Sequence, residues 1–557
     1  NPYTALAQTP YPVVGRSPWQ VVGDASRVTM STDDAFVGDH SPRLAPGAEI
    51  RQLDIALASG REYAGYLWIK AVEGAPKVTI RMDSAKGGVT VDQPGAAYAR
   101  YAFACTAEAS TDHASLSIVC EGGTIQVGAV SLMPADNVNG LRADTLALLK
   151  ELNSPIYRWP GGNFVSGYDW RDGVGDRDRR PPRTNPAWTG IESNDFGMHE
   201  FIDLCRALRA EPLITINMGF EGAFSAEAQV EYANAHDGMW ARQRAANGAP
   251  EPFGVNYWGI GNEMWGDWQL GFMSPEDYQR KHNWVVSRLR KGFPDIRTIA
   301  SGNAGEWSRG LLEQCADTTD MIAEHFYVQH ESDVTTHVGL VPAAIRAKAE
   351  FHRATQSQLA NLGDRRIPVA MTEWNYWYGP HLYGELGTRY FLRDALGIAA
   401  GLNEYSRSTD IITAAFYAQT VNVIGAIKTT DTETFLETTA LPLIMYRRHF
   451  GTIPVELDDG GSQPLGIDVA AAWTADRSAL TIAVVNSGAL PRTISATISG
   501  AQLSGEATLH RFAGDPEAFN LPGEPRIKLE REEHVPFAGS LGVPAHSSSI
   551  YVIPASK

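Results

Sequence analysis

The chain has 557 residues, more than one hydrophobic core usually serves, so two or three domains are expected. Apolar residues make up 43% and charged residues 20% of the sequence, as in ordinary globular proteins. The 47 basic and 64 acidic residues give a net charge of −17, which repels phosphate backbones and anionic lipid surfaces. No apolar run of about 18 residues occurs that could span a bilayer. We therefore expect neither nucleic acid nor a membrane as a partner.

The cysteines and the first residues of the chain do not determine the cellular compartment of the protein. The spacings of Cys105, Cys120, Cys205 and Cys315 fit neither a metal site nor a dense disulfide framework, and they leave a single Cys105–Cys120 bridge open. The chain begins NPYTALAQ, without the charged-then-apolar pattern of a signal peptide, so a leader either was removed or never existed. A secreted or periplasmic location is slightly favoured over the cytoplasm.

Two segments of the chain are predicted to be β-sandwiches. Residues 12 to about 135 contain short β-rich runs, such as YAGYLWIKAV and ASLSIVCE, between Gly, Pro, Asp and Ser turn signals. After about residue 450 similar runs return, such as ALTIAVVNSG and SSIYVIPAS. We predict a carbohydrate-binding-like sandwich over residues 1–136 and a second sandwich over residues 450–557.

Between the sandwiches, residues 137–449 are predicted to form a (β/α)₈ barrel, because apolar strands alternate there with amphipathic helices. Seven strands can be counted: SPIYRWPGG, EPLITINMG, VNYWGIGNEM, IRTIASGN, MIAEHFYV, PVAMTEWN and IITAAFYAQ. A closed barrel needs eight, and nothing upstream of Asn137 supplies the first strand-helix unit. The first barrel strand is therefore predicted to be absent from this chain.

Polar residues end several of these predicted strands. In a β/α barrel the carboxyl ends of all strands meet at one mouth, where the active site lies. The residues concerned are Arg158 and Asn163 in RWPGGNF, Asn262 and Glu263 in GIGNEM, His325 and Tyr327 in EHFYV, Glu373 in MTEWN, and Gln419 in YAQTVN.

Glu263 and Glu373 are the two carboxylates that cleavage of a glycosidic bond requires, one as proton donor and one as nucleophile or base. They belong to strands four and seven if one strand is missing upstream, and such strands can bring carboxylates to about 5 Å, the separation of retaining enzymes. Either glutamate alone could be a surface or capping group. Histidine pairs at metal-ligand spacing, a phosphate-binding loop and a GxSxG elbow are all missing from the sequence.

The motifs RWPGGNFVSGYDWRDGVG, RTNPAWTGIESNDFGMHEFIDLC, GNEM, EHFY, TEWN and AQTVNVIG, in this order between about residues 140 and 450, resemble the α-L-arabinofuranosidases of glycoside hydrolase family 51. The resemblance implies removal of terminal α-L-arabinofuranosyl residues from polysaccharides or oligosaccharides, such as arabinan and arabinoxylan, by double displacement. It implies Glu263 as acid/base and Glu373 as nucleophile.

The resemblance also implies roles for the surrounding residues. Asn262 would hold the sugar 2-hydroxyl, and Arg158 would orient the nucleophile and keep it ionised. The residues that would complete the furanose pocket are Asn163, His325, Tyr327 and Gln419, with Trp377 beside the leaving group.

Partners and departures follow from the same resemblance. The partner is an arabinofuranose-containing glycan, no cofactor or metal is implied, and family members are often homo-oligomers. Members with an inserted sandwich have the first barrel strand before it, so a separate N-terminal fragment is one way to complete this barrel. Trp265 stands where many relatives have a smaller or acidic residue, which leaves the aglycone preference open.

Two alternative functions share either the mechanism or the carbohydrate ligand of this interpretation. The same mechanism could serve another sugar, as in an endo-β-glucanase, a β-xylosidase, a D-arabinofuranosidase or a galactofuranosidase. A non-catalytic carbohydrate-binding protein would use the sandwiches and aromatic residues, but it has no need of two facing carboxylates at strand ends.

Overall fold

The computed structural model of the protein describes residues 19–188, 190–381, 387–458 and 465–555, so the first 18 residues of the predicted first domain lie outside the described residues. Nine strands form the N-terminal sandwich: β1 (Trp19–Val22), β2 (Val28–Ser31), β3 (Ser41–Leu44), β4 (Ala48–Leu57), β5 (Glu62–Met82), β6 (Ala85–Gly87), β7 (Val89–Asp92), β8 (Ala99–Ala107) and β9 (Thr111–Pro134).

The long strands β5 and β9 hold this sandwich together. They pair with each other along most of their length, and register shifts near Gly74 and Gly123 bend both strands. Because alternate residues of a strand face opposite sides, Leu67 and Ile69 on β5 point into one buried core. Cys105 and Cys120 are also buried in this core, and both are free thiols.

The middle of the chain alternates strands and helices, as predicted. Its elements are α1 (Ala143–Leu152), β10 (Ile156–Trp159), β11 (Arg183–Thr184), β12 (Ile191–Glu192), α2 (Met198–Leu208), β13 (Glu211–Ile216), α3 (Ala223–Asn234), α4 (Met239–Ala246), β14 (Tyr257–Ile260), α5 (Pro275–Gly292), β15 (Arg297–Ser301), α6 (Glu306–Gln314), β16 (Met321–Val328), α7 (Val334–Gln358), β17 (Val369–Tyr376), α8 (Leu392–Arg407), β18 (Ile412–Tyr417), β19 (Ile427–Thr429), β20 (Thr434–Leu436) and α9 (Ala440–His449).

Seven parallel strands form the barrel sheet, in the order β10-β13-β14-β15-β16-β17-β18. They are the seven strands predicted from the sequence, so the barrel assignment is confirmed. Within the described residues β10 and β18 form the two edges of this sheet and share no ladder. Helix α1 precedes β10, yet no strand of the sheet precedes α1 in the described part of the chain. The barrel is therefore nearly closed: β10 and β18 approach each other but are not hydrogen-bonded to each other.

The C-terminal sandwich packs against the outside of the barrel. Its strands are β21 (Ile453–Val455), β22 (Ile467–Trp473), β23 (Ala479–Asn486), β24 (Arg492–Ser495), β25 (Glu506–Ala513), β26 (Glu530–Pro536), β27 (Ser540–Val543) and β28 (Ser547–Pro554). Residues of α8 and α9 share a buried cluster with β23, β25 and β28. At this interface the rings of His449 and His510 stack with centroids 3.5 Å apart and planes 9° apart.

The N-terminal sandwich is attached to the barrel through the segment after β10. Asp178 accepts hydrogen bonds from the Tyr66 hydroxyl at 2.7 Å and from the Trp68 indole at 2.8 Å. The Arg179 guanidinium lies 3.6 Å from the centroid of the Phe36 ring. These contacts join the sandwich to a loop on the carboxyl side of the barrel strands. None of the helices in the described ranges is both long and apolar enough to cross a bilayer.

Candidate active site

The residues singled out by the sequence gather in a cavity of about 700 Å³ at the carboxyl ends of the barrel strands. Seven of the nine line it directly: Arg158, Asn163, Glu263, Tyr327, Glu373, Trp377 and Gln419. The other two, Asn262 and His325, are hydrogen-bonded to those lining residues. The lining of the same cavity also includes Tyr157 of β10 and Phe416 of β18, the two edge strands of the barrel sheet.

The register between β16 and β17 places three of these side chains together. The ladder pairs Glu324 with Met371 and then His325 with Glu373, so Thr372 is an extra residue that bulges out of the pairing. The bulge aligns His325 with Glu373 on the cavity side. The Thr372 hydroxyl also lies close to the histidine, since its Oγ1 is 2.7 Å from His325 Nε2.

Glu373 is a buried carboxylate with three polar neighbours. Arg158 Nη1 donates to its Oε1 at 2.9 Å, and the Tyr327 hydroxyl donates to its Oε2 at 2.6 Å. His325 Nδ1 lies 3.7 Å from the same Oε2. Burial by itself raises the pKa of Glu373, but the electrostatic interactions with His325 and Arg158 and the hydrogen bonds from Tyr327 and Arg158 outweigh it and hold the pKa well below its ordinary value. This carboxylate is therefore ionised at neutral pH.

Glu263 follows β14 and faces Glu373 across the cavity. His325 Nδ1 lies 2.8 Å from its Oε1, and the Trp268 indole donates to its Oε2 at 2.7 Å. The backbone of Glu263 is left-handed, with φ of +44°, a conformation that non-glycine residues seldom adopt. One donor atom each from Glu263, His325 and Glu373 lies within 4.8 Å of the others, so the two carboxylates are close enough to reach one sugar carbon.

Arg158 links the two strands that carry the glutamates. Its second terminal nitrogen donates to Asn262 Oδ1, and the Asn262 amide donates in turn to Gln269 Oε1 at 3.2 Å. Gly161 of the PGGN motif makes room for the guanidinium, because a Cβ there would lie 2.8 Å from Arg158 Nη1. The glycine in this motif is thus explained by a close approach to the arginine side chain rather than by phosphate binding.

Three tryptophans surround the mouth of the cavity. Trp188 and Trp268 are 39% and 53% exposed, and both line the cavity together with Trp377. The Trp377 ring packs edge-on against Tyr327, with centroids 5.1 Å apart. Trp265 does not line the cavity: its indole donates to the carbonyl of Gly302 at 2.9 Å. Rings of this kind suit the apolar faces of sugars.

Sequence reasoning missed four residues of this site: Trp188, Trp268, Gln269 and Thr372. Trp188 lies inside the RTNPAWTG motif, and Trp268 lies five residues after Glu263, so proximity to the motifs could have pointed to both. Thr372 owes its place to the bulge between β16 and β17, which has no signal in the sequence.

The donor set of Glu263, His325 and Glu373 has the spacing of a three-residue metal site. Its electrostatics disfavour that use, because the Arg158 guanidinium already neutralises Glu373 at 2.9 Å. A divalent cation would have to approach a fixed positive charge at the same carboxylate. The arrangement instead suits chemistry that needs one ionised carboxylate and one proton carrier.

A parallel β/α barrel with two glutamates this close at the carboxyl ends of its strands defines a retaining glycoside hydrolase. Two family models match the chain: the α-L-arabinofuranosidase 1 domain over residues 148–340 and the α-L-arabinofuranosidase C-terminal domain over residues 372–547. α-L-Arabinofuranosidase C of Emericella nidulans is 33% identical over 438 residues, which cover 71% of this chain and 85% of that protein. The chain belongs to the α-L-arabinofuranosidases of glycoside hydrolase family 51, as the sequence motifs indicated.

Solved structures agree with this assignment. The thermostable GH51 α-L-arabinofuranosidase from Thermotoga petrophila RKU-1 is 30% identical, with a TM-score of 0.67 over 75% of this chain and 92% of that chain. The arabinose-bound MgGH51 α-L-arabinofuranosidase covers 100% of this chain and 94% of its own, with a TM-score of 0.78. At 18% identity this second structure shows the fold alone, over the whole length that includes the N-terminal sandwich.

Proposed function

We propose that the protein removes terminal α-L-arabinofuranosyl residues from glycans by double displacement, with Glu373 as nucleophile and Glu263 as acid/base. One observation carries the proposal: oxygens of the two carboxylates lie within 4.8 Å in one cavity. Retaining enzymes hold their carboxylates about 5 Å apart, because the nucleophile attacks the sugar directly without an intervening water.

The proposed reaction has two steps. A Glu373 oxygen bonds to the anomeric carbon while the bond from that carbon to the leaving oxygen breaks, and Glu263 gives its proton to the leaving oxygen. Water then attacks the anomeric carbon of the arabinosyl-enzyme, Glu263 accepts a proton from the water, and Glu373 is released as carboxylate. Both displacements invert, so the configuration is retained.

The surroundings of the two glutamates support these roles. Glu373 receives hydrogen bonds from Arg158 and Tyr327, which favour the charged form that a nucleophile needs. Glu263 is bonded instead to Trp268, whose ring is half exposed at the mouth, where a leaving group would lie. We propose that Asn163, Asn262 and Gln419 bind the sugar hydroxyls, that His325 positions the acid/base, and that Trp377 flanks the leaving group.

Variants at both glutamates test the assignment on nitrophenyl α-L-arabinofuranoside. We expect Glu373→Ala to lose about 10⁴-fold or more in kcat, by analogy with removal of other covalent nucleophiles. Glu263→Ala should lose much less on this activated substrate than on substrates with poor leaving groups. Azide separates the roles, since rescue should give a glycosyl azide of inverted configuration for Glu373→Ala and of retained configuration for Glu263→Ala.

A matched control and a panel of sugars complete this test. Glu506→Ala removes a carboxylate of the C-terminal sandwich that pairs with His534, and it should leave kcat unchanged. Parallel assays on arabinopyranoside, xyloside and galactofuranoside analogues decide between the proposed sugar and the alternatives. Faster turnover of any of those analogues would overturn the arabinofuranosidase proposal, and full activity of Glu373→Ala would remove the nucleophile assignment.

We also propose that a parallel strand from a separate polypeptide fragment pairs with the free edge of β10, on the side that faces β18. Helix α1 supports this, because in a right-handed crossover the strand that precedes such a helix would lie beside β10. Intact and native mass measurement of the active protein should find additional polypeptide. Full activity of a species containing these 557 residues alone would contradict the proposal.

Two further proposals concern association. We propose that the N-terminal sandwich is a carbohydrate-binding-like module. The test is to compare binding of the glycan to Glu373→Ala proteins with and without that sandwich.

We also propose that the protein forms a homo-oligomer. Sedimentation velocity would test this directly. A single monomeric species at high concentration would contradict it.

A further inference from the structure

The exposed aromatic side chains of this protein are concentrated in one sector of the barrel. Among the described residues, the exposed Phe and Trp side chains all lie between positions 188 and 284: Trp188, Phe196, Phe220, Phe224, Trp268, Phe272 and Trp284. That range covers the loops after β13 and β14, together with helices α3 and α5. β14 is also the strand that leads into Glu263. A surface patch of this kind marks a binding site more often than chance exposure.

Five of these residues form what we call the aromatic strip: Phe220, Phe224, Trp268, Phe272 and Trp284. They are between 51% and 71% exposed, although large aromatic side chains are usually covered. Trp268 begins the strip inside the catalytic cavity, where its indole donates to Glu263 Oε2.

Backbone contacts keep the next members of the strip together. The loops that carry Phe220 and Phe272 touch at Gly219 and Gly271, since a Cβ on Gly271 would lie 2.6 Å from the Gly219 Cα. Each phenylalanine directly follows one of these glycines, so the two rings leave neighbouring points of the surface. Lys281 on α5 donates to the carbonyl of Gly219 at 3.2 Å, which ties the helix to the same loop.

The outer end of the strip lies on helices α3 and α5. The rings of Phe224 and Trp284 meet edge-to-face with centroids 6.4 Å apart. The Arg288 guanidinium lies 4.8 Å from the centre of the Phe224 ring and is also bonded to Glu227. A charged pair therefore lies directly against an aromatic ring at this end of the strip, a combination that suits a ligand with both hydroxyl groups and apolar ring faces.

We propose that the aromatic strip binds the main chain of a branched polysaccharide, on the leaving-group side of the site. This rests on the proposed function, because Glu263, which accepts the Trp268 hydrogen bond, would donate the proton to the leaving group. A terminal arabinofuranosyl residue would enter the cavity while the sugars of the main chain, pyranose rings with flat apolar faces, lie along the strip from Trp268 to Phe220 and Phe272. The occupant is a neutral glycan rather than a second copy of the chain, because the strip begins inside the catalytic cavity at Trp268, whose indole is bonded to Glu263.

The test compares a polymer with a small substrate. The double variant Phe220→Ala/Phe272→Ala removes two rings that do not touch the carboxylates, and Leu490→Ala, an exposed apolar residue of the C-terminal sandwich, is the matched control. For the double variant, kcat/KM on arabinoxylan divided by kcat/KM on nitrophenyl α-L-arabinofuranoside should fall about tenfold, chiefly through KM on the polymer. The control should keep the wild-type ratio.

Several outcomes would overturn the proposal. An unchanged ratio in the double variant, or equal losses on both substrates, would show that the strip does not bind the polymer. A smaller sedimentation coefficient in the double variant would identify the strip as a contact between copies of the chain. If the wild-type protein cleaves neither substrate, the proposed function fails instead. In that case, the migration of Glu373→Ala in gels containing arabinoxylan is compared with that of Glu373→Ala combined with Phe220→Ala/Phe272→Ala. Weaker retardation of the combined variant would show that the strip binds the polymer.

Discussion

Replacing Tyr327 by phenylalanine should move the acid limb of the pH–rate profile to higher pH. The Tyr327 hydroxyl donates to Glu373 Oε2 at 2.6 Å and so favours the ionised carboxylate. Without this donor the pKa of Glu373 rises, and the carboxylate becomes protonated and unable to attack at a higher pH than in the wild type. A hydrogen bond to a charged group is worth about 1.5–3 kcal/mol, and about 1.4 kcal/mol corresponds to one pH unit. The limb should therefore move upward by about one to two pH units.

The assay is kcat/KM on nitrophenyl α-L-arabinofuranoside across the acid and neutral range. Each sample is afterwards returned to neutral pH and assayed again, because activity lost through unfolding need not return whereas activity lost through protonation of Glu373 does. Tyr551→Phe is the matched control, because its hydroxyl donates to the carbonyl of Gly542 in the C-terminal sandwich. The reasoning is refuted if the limb of Tyr327→Phe coincides with that of the wild type while activity falls equally at every pH.

Three further predictions concern contacts around the site and between the domains. Thr372→Val removes the hydroxyl that orients His325 between the carboxylates, so kcat should fall about tenfold while the melting temperature stays nearly constant. A parallel fall in kcat and in the melting temperature would contradict a positioning role. Asp178→Ala removes the acceptor of Trp68 and should lower the free energy of unfolding by about 2–4 kcal/mol in denaturant titrations, with activity on the nitrophenyl substrate retained. Burial, the stacked His449 and the nearby arginine lower the pKa of His510 to about 4, so the unfolded chain binds a proton that the folded chain excludes. Stability should accordingly fall as the pH drops from about 6.5 toward about 4, and His510→Phe should flatten that fall.

Much of the fold could be predicted from the periodicity of apolar residues in the sequence. The seven barrel strands are continuous apolar runs because both faces of a parallel barrel sheet are covered, and such runs are conspicuous between helical segments. Counting strands against the eight of a closed barrel also predicted that the first and last counted strands would not pair, and β10 and β18 share no ladder in the described residues.

The site was predictable where it depends on strand ends and unpredictable where it depends on local irregularity. Glu263 and Glu373 end apolar strands, so topology alone brings them to one mouth. Thr372 reaches His325 only because the ladder slips by one residue there, and strand pairing irregularities leave no periodic signal. Trp268 reaches Glu263 through a loop whose course depends on close glycine contacts, one of which places Gly266 beneath the Trp268 ring.

The left-handed backbone of Glu263 has a consequence for selection. A non-glycine residue held at φ of +44° costs of order 1–3 kcal/mol, which glycine at the same position would largely recover. Glu263→Gly should therefore unfold at a higher temperature than Glu263→Ala, since both variants lose the contacts of the carboxylate with His325 and Trp268 and only glycine relieves the strain. Among variants that lack the carboxylate, a heat-resistance screen that does not also demand turnover is then expected to favour glycine, the residue with no side chain to do chemistry.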